Sequence, residues 1–209
     1  MSVSARRRIA AVALLVVPLF GAGPLEAAEL LVGNKSADTL WRLSLDGGRR
    51  LGQIETGDGP HEVVVAPDGR RAVVTNYGAA TAGNSLGVVD LATGKTRTLT
   101  LGEHGRPHGV RFLPGGQRVV VTTEAARTLV VVDLDAGRVE RAVPMGDGRG
   151  HMVALSNDGA AAFVTKIDSG TVSRVDLRRG RKTLERPAGA GAEGVAVHPG
   201  TGEVWVSNR

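Results

Sequence analysis

The chain has 209 residues, with 26 Lys and Arg against 21 Asp and Glu, a formal charge of +5, 30 glycines and no cysteine. Disulfide staples are therefore excluded, and stability must come from buried apolar strands, for which this length is ample. Three of the positives (Arg6, Arg7, Arg8) and one negative (Glu26) fall within the first 27 residues, so the remainder carries +3, spread without a basic block. That balance does not point to nucleic acid.

Residues 1–27 read as a secretory signal peptide. Arg6 to Arg8 give a positive start, residues 9–20 form a 12-residue apolar run, and Leu25-Glu26-Ala27 precedes Ala28. Twelve apolar residues are too few to span a bilayer, which takes about 20. Cleavage is expected after Ala27, or after Ala28, with an uncleaved anchor as the rival reading. Either the general or the twin-arginine export route accommodates the paired arginines. The remainder, residues 28–209, has no second apolar span and is expected in the periplasm or outside the cell.

From residue 30 onward one sentence recurs. It is GPHEVVVAPDGRRAVVTNY at 59–77, RPHGVRFLPGGQRVVVTTE at 106–124, RGHMVALSNDGAAAFVTKI at 149–167 and AEGVAVHPGTGEVWVSNR at 192–209. Four columns fix its register. The first is His61, His108, His151 and then Glu193; the second, always 14 residues later, is Thr75, Thr122, Thr165 and Ser207. The third is Ser44, Asp90, Asp133 and Asp176, and the fourth, five residues before it, is Thr39, Ser85, Thr128 and Thr171.

Within each unit the first run alternates with period two (Val63 and Val65, Val110 and Phe112, Val153 and Leu155, Val195 and Val197), as a half-buried strand requires. Asp68-Gly69, Gly115-Gly116 and Asp158-Gly159 supply the tight turn to a second run. Third and fourth runs follow, and no segment has helical periodicity. Four antiparallel strands per unit, repeated at a fixed period, predict an all-β fold of β-propeller blades.

The units are a partial blade over residues 30–57 lacking its first strand, three full blades starting near residues 61, 108 and 151, and two strands over 193–209. That makes seventeen strands, one more than a closed four-bladed ring holds. The expectation is about four blades forming an open arc of a larger ring of six to eight blades, seven being favoured, with apolar edges facing solvent.

The strings PHEVVVAPDG with VVTNYG, and PHGVRFLPGG with VVVTTE, resemble the YVTN-repeat propellers, close to the periplasmic YncE family. The wider superfamily includes the haem-d1 domain of nitrite reductase and the propeller of quinoprotein amine dehydrogenase. The resemblance covers residues 30–209. It implies the fold more than the activity, because such blades host binding proteins, cofactor domains and lactonases. Only Thr75-Asn76 keeps the Thr-Asn pair within a full repeat.

The loop entering strand one and the loop leaving strand two share one face of a blade, here called upper. His61, His108, His151 and Glu193 should meet near the channel mouth, with Asn76, Tyr77, Glu124, Lys166 and Asn208 beside them. This set is the candidate ligand site. Three imidazoles and a carboxylate suit a transition metal, and could also meet an anion or a haem edge. The competing structural reading likens this column to the recurrent His of WD-repeat propellers, which hydrogen-bonds inside its own blade. The Asp column reads as turn capping, and the hydroxyl columns as local bonding to backbone.

The loop 77–84 is four residues longer than its counterparts. It marks a departure from the repeat on the upper face. Lone His104 and His198 read as exposed rather than ligating.

No phosphate loop or haem-attachment motif occurs. Aromatic platforms for single-stranded nucleic acid are lacking too. The reading that follows is an exported, non-catalytic propeller binding a small molecule or a periplasmic protein. No cofactor is required by the sequence, although metal or haem is possible. The alternative is a metal- or haem-dependent, or lactonase-like, enzyme using the His61/His108/His151/Glu193 ring.

Overall fold

A computed structural model describes residues 28–209, and these contain seventeen strands, all in antiparallel sheets. The signal-peptide expectation falls on residues 1–27 and lies outside the described residues. Among the described residues no helix is long and apolar enough to cross a membrane.

The strands group in strict chain order. β1 (Glu29–Asn34), β2 (Thr39–Ser44) and β3 (Arg50–Glu55) make a three-stranded sheet. β4 (Pro60–Val65), β5 (Arg71–Asn76), β6 (Ser85–Asp90) and β7 (Thr96–Thr100) make the second. β8 (Pro107–Phe112), β9 (Arg118–Thr123), β10 (Thr128–Asp133) and β11 (Arg138–Pro144) make the third. β12 (Gly150–Leu155), β13 (Ala161–Lys166), β14 (Thr171–Asp176) and β15 (Arg181–Pro187) make the fourth, and β16 (Ala192–Val197) with β17 (Val204–Asn208) the last.

Each sheet packs face to face on the next. Val73, Leu86 and Val88 of the second sheet meet Val110, Phe112, Val119 and Val121 of the third. Val120, Leu129 and Val131 of the third meet Val153, Ala162, Val164 and Val175 of the fourth. Leu40 and Ile54 of the first sheet pack against Ala72, Val74 and Val89 of the second. The first strands β4, β8, β12 and β16 contact one another in succession. These are propeller blades in an arc that does not close, as the repeat predicts. Apolar side chains stand exposed on both terminal sheets: Leu30 and Leu51 on the first, Trp205 on the last.

Every first strand breaks register where the His/Glu column begins, between Pro60 and Val63, Pro107 and Val110, Gly150 and Val153, and Ala192 and Gly194. The break is a bulge that leaves one N–H without its ladder partner. In the three full blades the second-column threonine fills the gap: its hydroxyl accepts from Glu62 N at 3.0 Å (Thr75), Gly109 N at 2.8 Å (Thr122) and Met152 N at 3.2 Å (Thr165). The same hydroxyls then donate across to the next blade, Thr122 to the His151 carbonyl and Thr165 to the Glu193 carbonyl, both at 2.5 Å. The column is therefore local, as expected, and also joins blades. Adjacent first strands lie so close that a Cβ on Gly109 would stand 2.7 Å from the His151 carbonyl oxygen.

The third column caps turns as expected, with Asp90 Oδ1 accepting from Thr93 N at 2.8 Å and Asp133 Oδ1 from Ala136 N at 2.8 Å. Replacing Thr122 by Val keeps shape and removes the acceptor from a fully buried N–H. Urea unfolding should show a loss of about 1–3 kcal/mol, whereas a change within about 0.5 kcal/mol would deny the hydroxyl its linking role.

Candidate functional site

The bulge sets the second residue of each first strand at the upper end of the channel. His61, His108 and His151, from three consecutive blades, form a tilted stack. Ring centroids are 4.1 Å apart between His61 and His108 and 3.8 Å apart between His108 and His151. His108 is only 3% exposed. Burial, reinforced by the neighbouring His151 and His61, pushes its pKa down to about 3, so the imidazole is neutral across the physiological range. The Nδ1 atoms of both His61 and His108 are buried without a hydrogen-bond partner.

The expected WD-like role, a hydrogen bond inside each His's own blade, is not what the structure shows. His151 Nδ1 bonds Glu124 Oε1 of the preceding blade at 2.8 Å, and His151 Nε2 lies 3.4 Å from Glu193 Oε1 of the following one. The nearest carboxylate to His61 Nδ1 is Glu62 Oε1 at 3.7 Å, beyond hydrogen-bond length. The column serves the space between blades.

Tyr77 and Glu124 close one side of the stack. The Tyr77 hydroxyl donates to Glu124 Oε2 at 2.6 Å, and its ring meets His108 edge-on at 5.7 Å. Burial and then the Glu124 hydrogen bond raise the Tyr77 pKa. Burial pushes Glu124 upward too, but the hydrogen bonds from His151 and Tyr77 and the charges of both histidines outweigh it and hold the carboxyl at about 2. Glu62 behaves alike: burial raises it, while His61, His108 and Arg111 together bring it below the usual range.

The long loop 77–84 is tied down rather than loose. Arg106 Nη1 donates to the carbonyls of Gly78 at 3.2 Å and Ala79 at 3.1 Å, and the Arg106 guanidinium lies 4.8 Å from the Tyr77 ring centre. Lys35 Nζ sits 4.7 Å from the same ring. Arg149 and Arg209 stand over the other side, 3.9 Å from Glu124 and 4.0 Å from Glu193. The site therefore has a floor of imidazoles and carboxylates under a cationic rim. Glu62, Arg106 and Arg149 were not singled out from the sequence as site residues. Glu62 could have been found as the one carboxylate at a repeat position otherwise held by Gly109, Met152 and Gly194.

No protein-family model matches the sequence, nor does any curated protein sequence. Among solved structures the chain is similar to Kuenenia stuttgartiensis hydrazine synthase, with a TM-score of 0.70 and 21% identity over 80% of this chain. The match takes in 47% of that chain, so this sequence spans about half the length of the structure it resembles. Identity at this level speaks for the fold alone.

Asn76, Asn208 and Lys166, expected beside the mouth, are each taken up by other partners. Asn76 is buried, accepting from Gly57 N at 3.1 Å and donating to Ser85 Oγ at 3.0 Å. Asn208 donates to the Ala188 carbonyl at 2.9 Å. His198 is exposed, accepting from the N–H groups of its own turn, whereas His104 is half-buried with Nδ1 3.1 Å from Thr128 Oγ1.

Lys166 is fully buried, and its Nζ reaches Glu185 Oε2 at 2.8 Å and the carbonyls of Asp147 at 2.6 Å and Met145 at 3.2 Å. Glu185 also takes Lys182 at 2.5 Å and Ser173 at 3.0 Å. Burial opposes ionisation of Glu185, yet these hydrogen bonds win and hold it at about 2. Because that folded value lies below the unfolded carboxylate range, its stabilisation is complete above about pH 4.5 and fades as pH falls toward 2. Glu185→Gln should shrink the acid dependence in that window and cost about 3 kcal/mol at pH 7 by stranding a buried ammonium. Lys166→Met, which removes the buried charge, should cost far less in the same urea titrations.

Proposed function

We propose that the chain belongs to an exported, non-catalytic propeller with YVTN/YncE-like blades, and that it captures a small-molecule ligand at the channel mouth on its upper face. The observation that carries this reading is the pair of buried, unpartnered imidazole nitrogens on His61 and His108. Leaving such groups unsatisfied costs about 1–3 kcal/mol each. A purely structural column would have been built from apolar side chains or bonded within the blade. Polar groups poised at the cost of stability are what a binding site leaves when its ligand is away.

The geometry also favours a compact ligand. With ring centroids 3.8–4.1 Å apart, no planar macrocycle fits between the imidazoles. The cationic rim of Lys35, Arg106 and Arg209 suits a ligand carrying anionic groups, Arg149 being held by Asp168 at 2.8 Å. Glycan and nucleic-acid ligands find only Tyr77 as an aromatic platform at the mouth.

His108→Leu tests whether the column is functional or structural. The variant should keep cooperative urea unfolding and be as stable as the parent or up to about 2 kcal/mol more so. A loss above about 2 kcal/mol would mean that the imidazole is a structural element and would overturn the reading.

A further inference from the structure

The two halves of the His stack differ in what they leave open. His151 is engaged by Glu124 and Glu193, and Glu124 in turn by Tyr77. On the other side His61 and His108 each present an unpartnered buried Nδ1, and Glu62 lies next to His61. Donor atoms of His61, Glu62 and His108 all fall within 4.8 Å of one another. His108, being 3% exposed, cannot satisfy its nitrogen with bulk water.

Resting on the reading of this mouth as a binding site, we propose that His61, Glu62 and His108 form a two-histidine, one-carboxylate site for a divalent transition-metal ion. Imidazole and carboxylate donors suit zinc, copper, nickel or cobalt, and three protein ligands leave positions open for a further donor. Metal–nitrogen bonds of about 2.0–2.1 Å place tetrahedral ligands about 3.4 Å apart. Side-chain rotation of His61 and Glu62, both 27% exposed, supplies the closure of an ångström or so. His108, 3% exposed, is held from the other side by His151, so the more exposed ligands close onto a buried one. Lys35 and Arg106, which flank the Tyr77 ring beside His61, would receive the anionic groups of a ligand bound through the metal.

A second triad, His108 with Glu124 and His151, meets the same distance condition. Two of its members, His151 and Glu124, already bond each other, and they brace His108 through its ring contact with His151 rather than hold the ion.

The test is titration of the metal-stripped full chain with Zn2+ and with Cu2+, read by calorimetry and by metal content after gel filtration. One equivalent should bind in the micromolar range or tighter, with copper tighter than zinc. The electron paramagnetic resonance spectrum of the copper form should show coupling to two nitrogens. Glu62→Gln and His61→Gln should each weaken binding at least tenfold, and Glu124→Gln less than threefold. Binding of less than about 0.2 equivalent would overturn the metal assignment. Loss on Glu124→Gln with retention on Glu62→Gln would overturn the choice of triad. His108→Leu stability reads the underlying binding site independently. A chain that takes no metal, yet is stabilised by that substitution, loses only the metal assignment.

Discussion

The structure turns on one local break in a ladder. Where each full blade's first strand enters, the pairing slips, one N–H is left over, and a threonine hydroxyl from the second strand accepts it. A hydroxyl both accepts and donates, so the group that repairs its own blade can also hold the next. Thr122 and Thr165 do this through the His151 and Glu193 carbonyls, fixing the spacing of neighbouring first strands from within the apolar interface. Gly109 records how tight that spacing is. The His108 and His151 imidazoles stack where the Thr122 bond draws their backbones together.

From this constraint an electrostatic arrangement follows. Side chains projecting from bulges in adjacent blades are crowded into one small volume, and crowding removes water. Neutral imidazoles tolerate that better than charged ones, which is why His108 titrates at about 3. Carboxylates remain ionised only where hydrogen bonds compensate. Glu124 has two such bonds, from Tyr77 and His151, and becomes a fixed strut. Glu62 is held below the usual range by its approach to His61 and the charges of its neighbours, without the two short hydrogen bonds that fix Glu124. One repeat column thus yields two unlike halves, because the Tyr77 ring packs on both His61 and His108 while its hydroxyl is committed to Glu124 on the His151 side.

The blades were legible because burial of strands between neighbours leaves period-two runs, and the turns leave Asp-Gly and Gly-Gly pairs at constant spacing. Convergence of the three histidines was legible as well, since position in a repeat maps onto position in a ring. What each side chain does there was not. Asn76 and Lys166 occupy a loop-facing position, yet they fold back toward partners on the same sheet. For Asn76 the partner is the hydroxyl of Ser85, and for Lys166 it is the carboxylate of Glu185. Repeat spacing gives the site of a residue and says nothing of its rotamer. Glu62 escaped for the opposite reason: it fills a position that is Gly or Met elsewhere, and a column without a recurring identity draws no notice.

The histidines come from the second, third and fourth sheets, each of which has a packed sheet on both sides. β1 covers the His61 blade and β16 the His151 blade, while the exposed apolar side chains Leu30, Leu51 and Trp205 lie on the outermost sheets. Among the described residues the terminal sheets reach the stack through Glu193 beside His151 and Lys35 on the Tyr77 ring. The mouth is therefore organised by contacts internal to the arc. Its unpartnered nitrogens are a property of the three central blades, independent of what packs against the outer faces. A site formed this way can keep its geometry while the terminal sheets meet other surfaces.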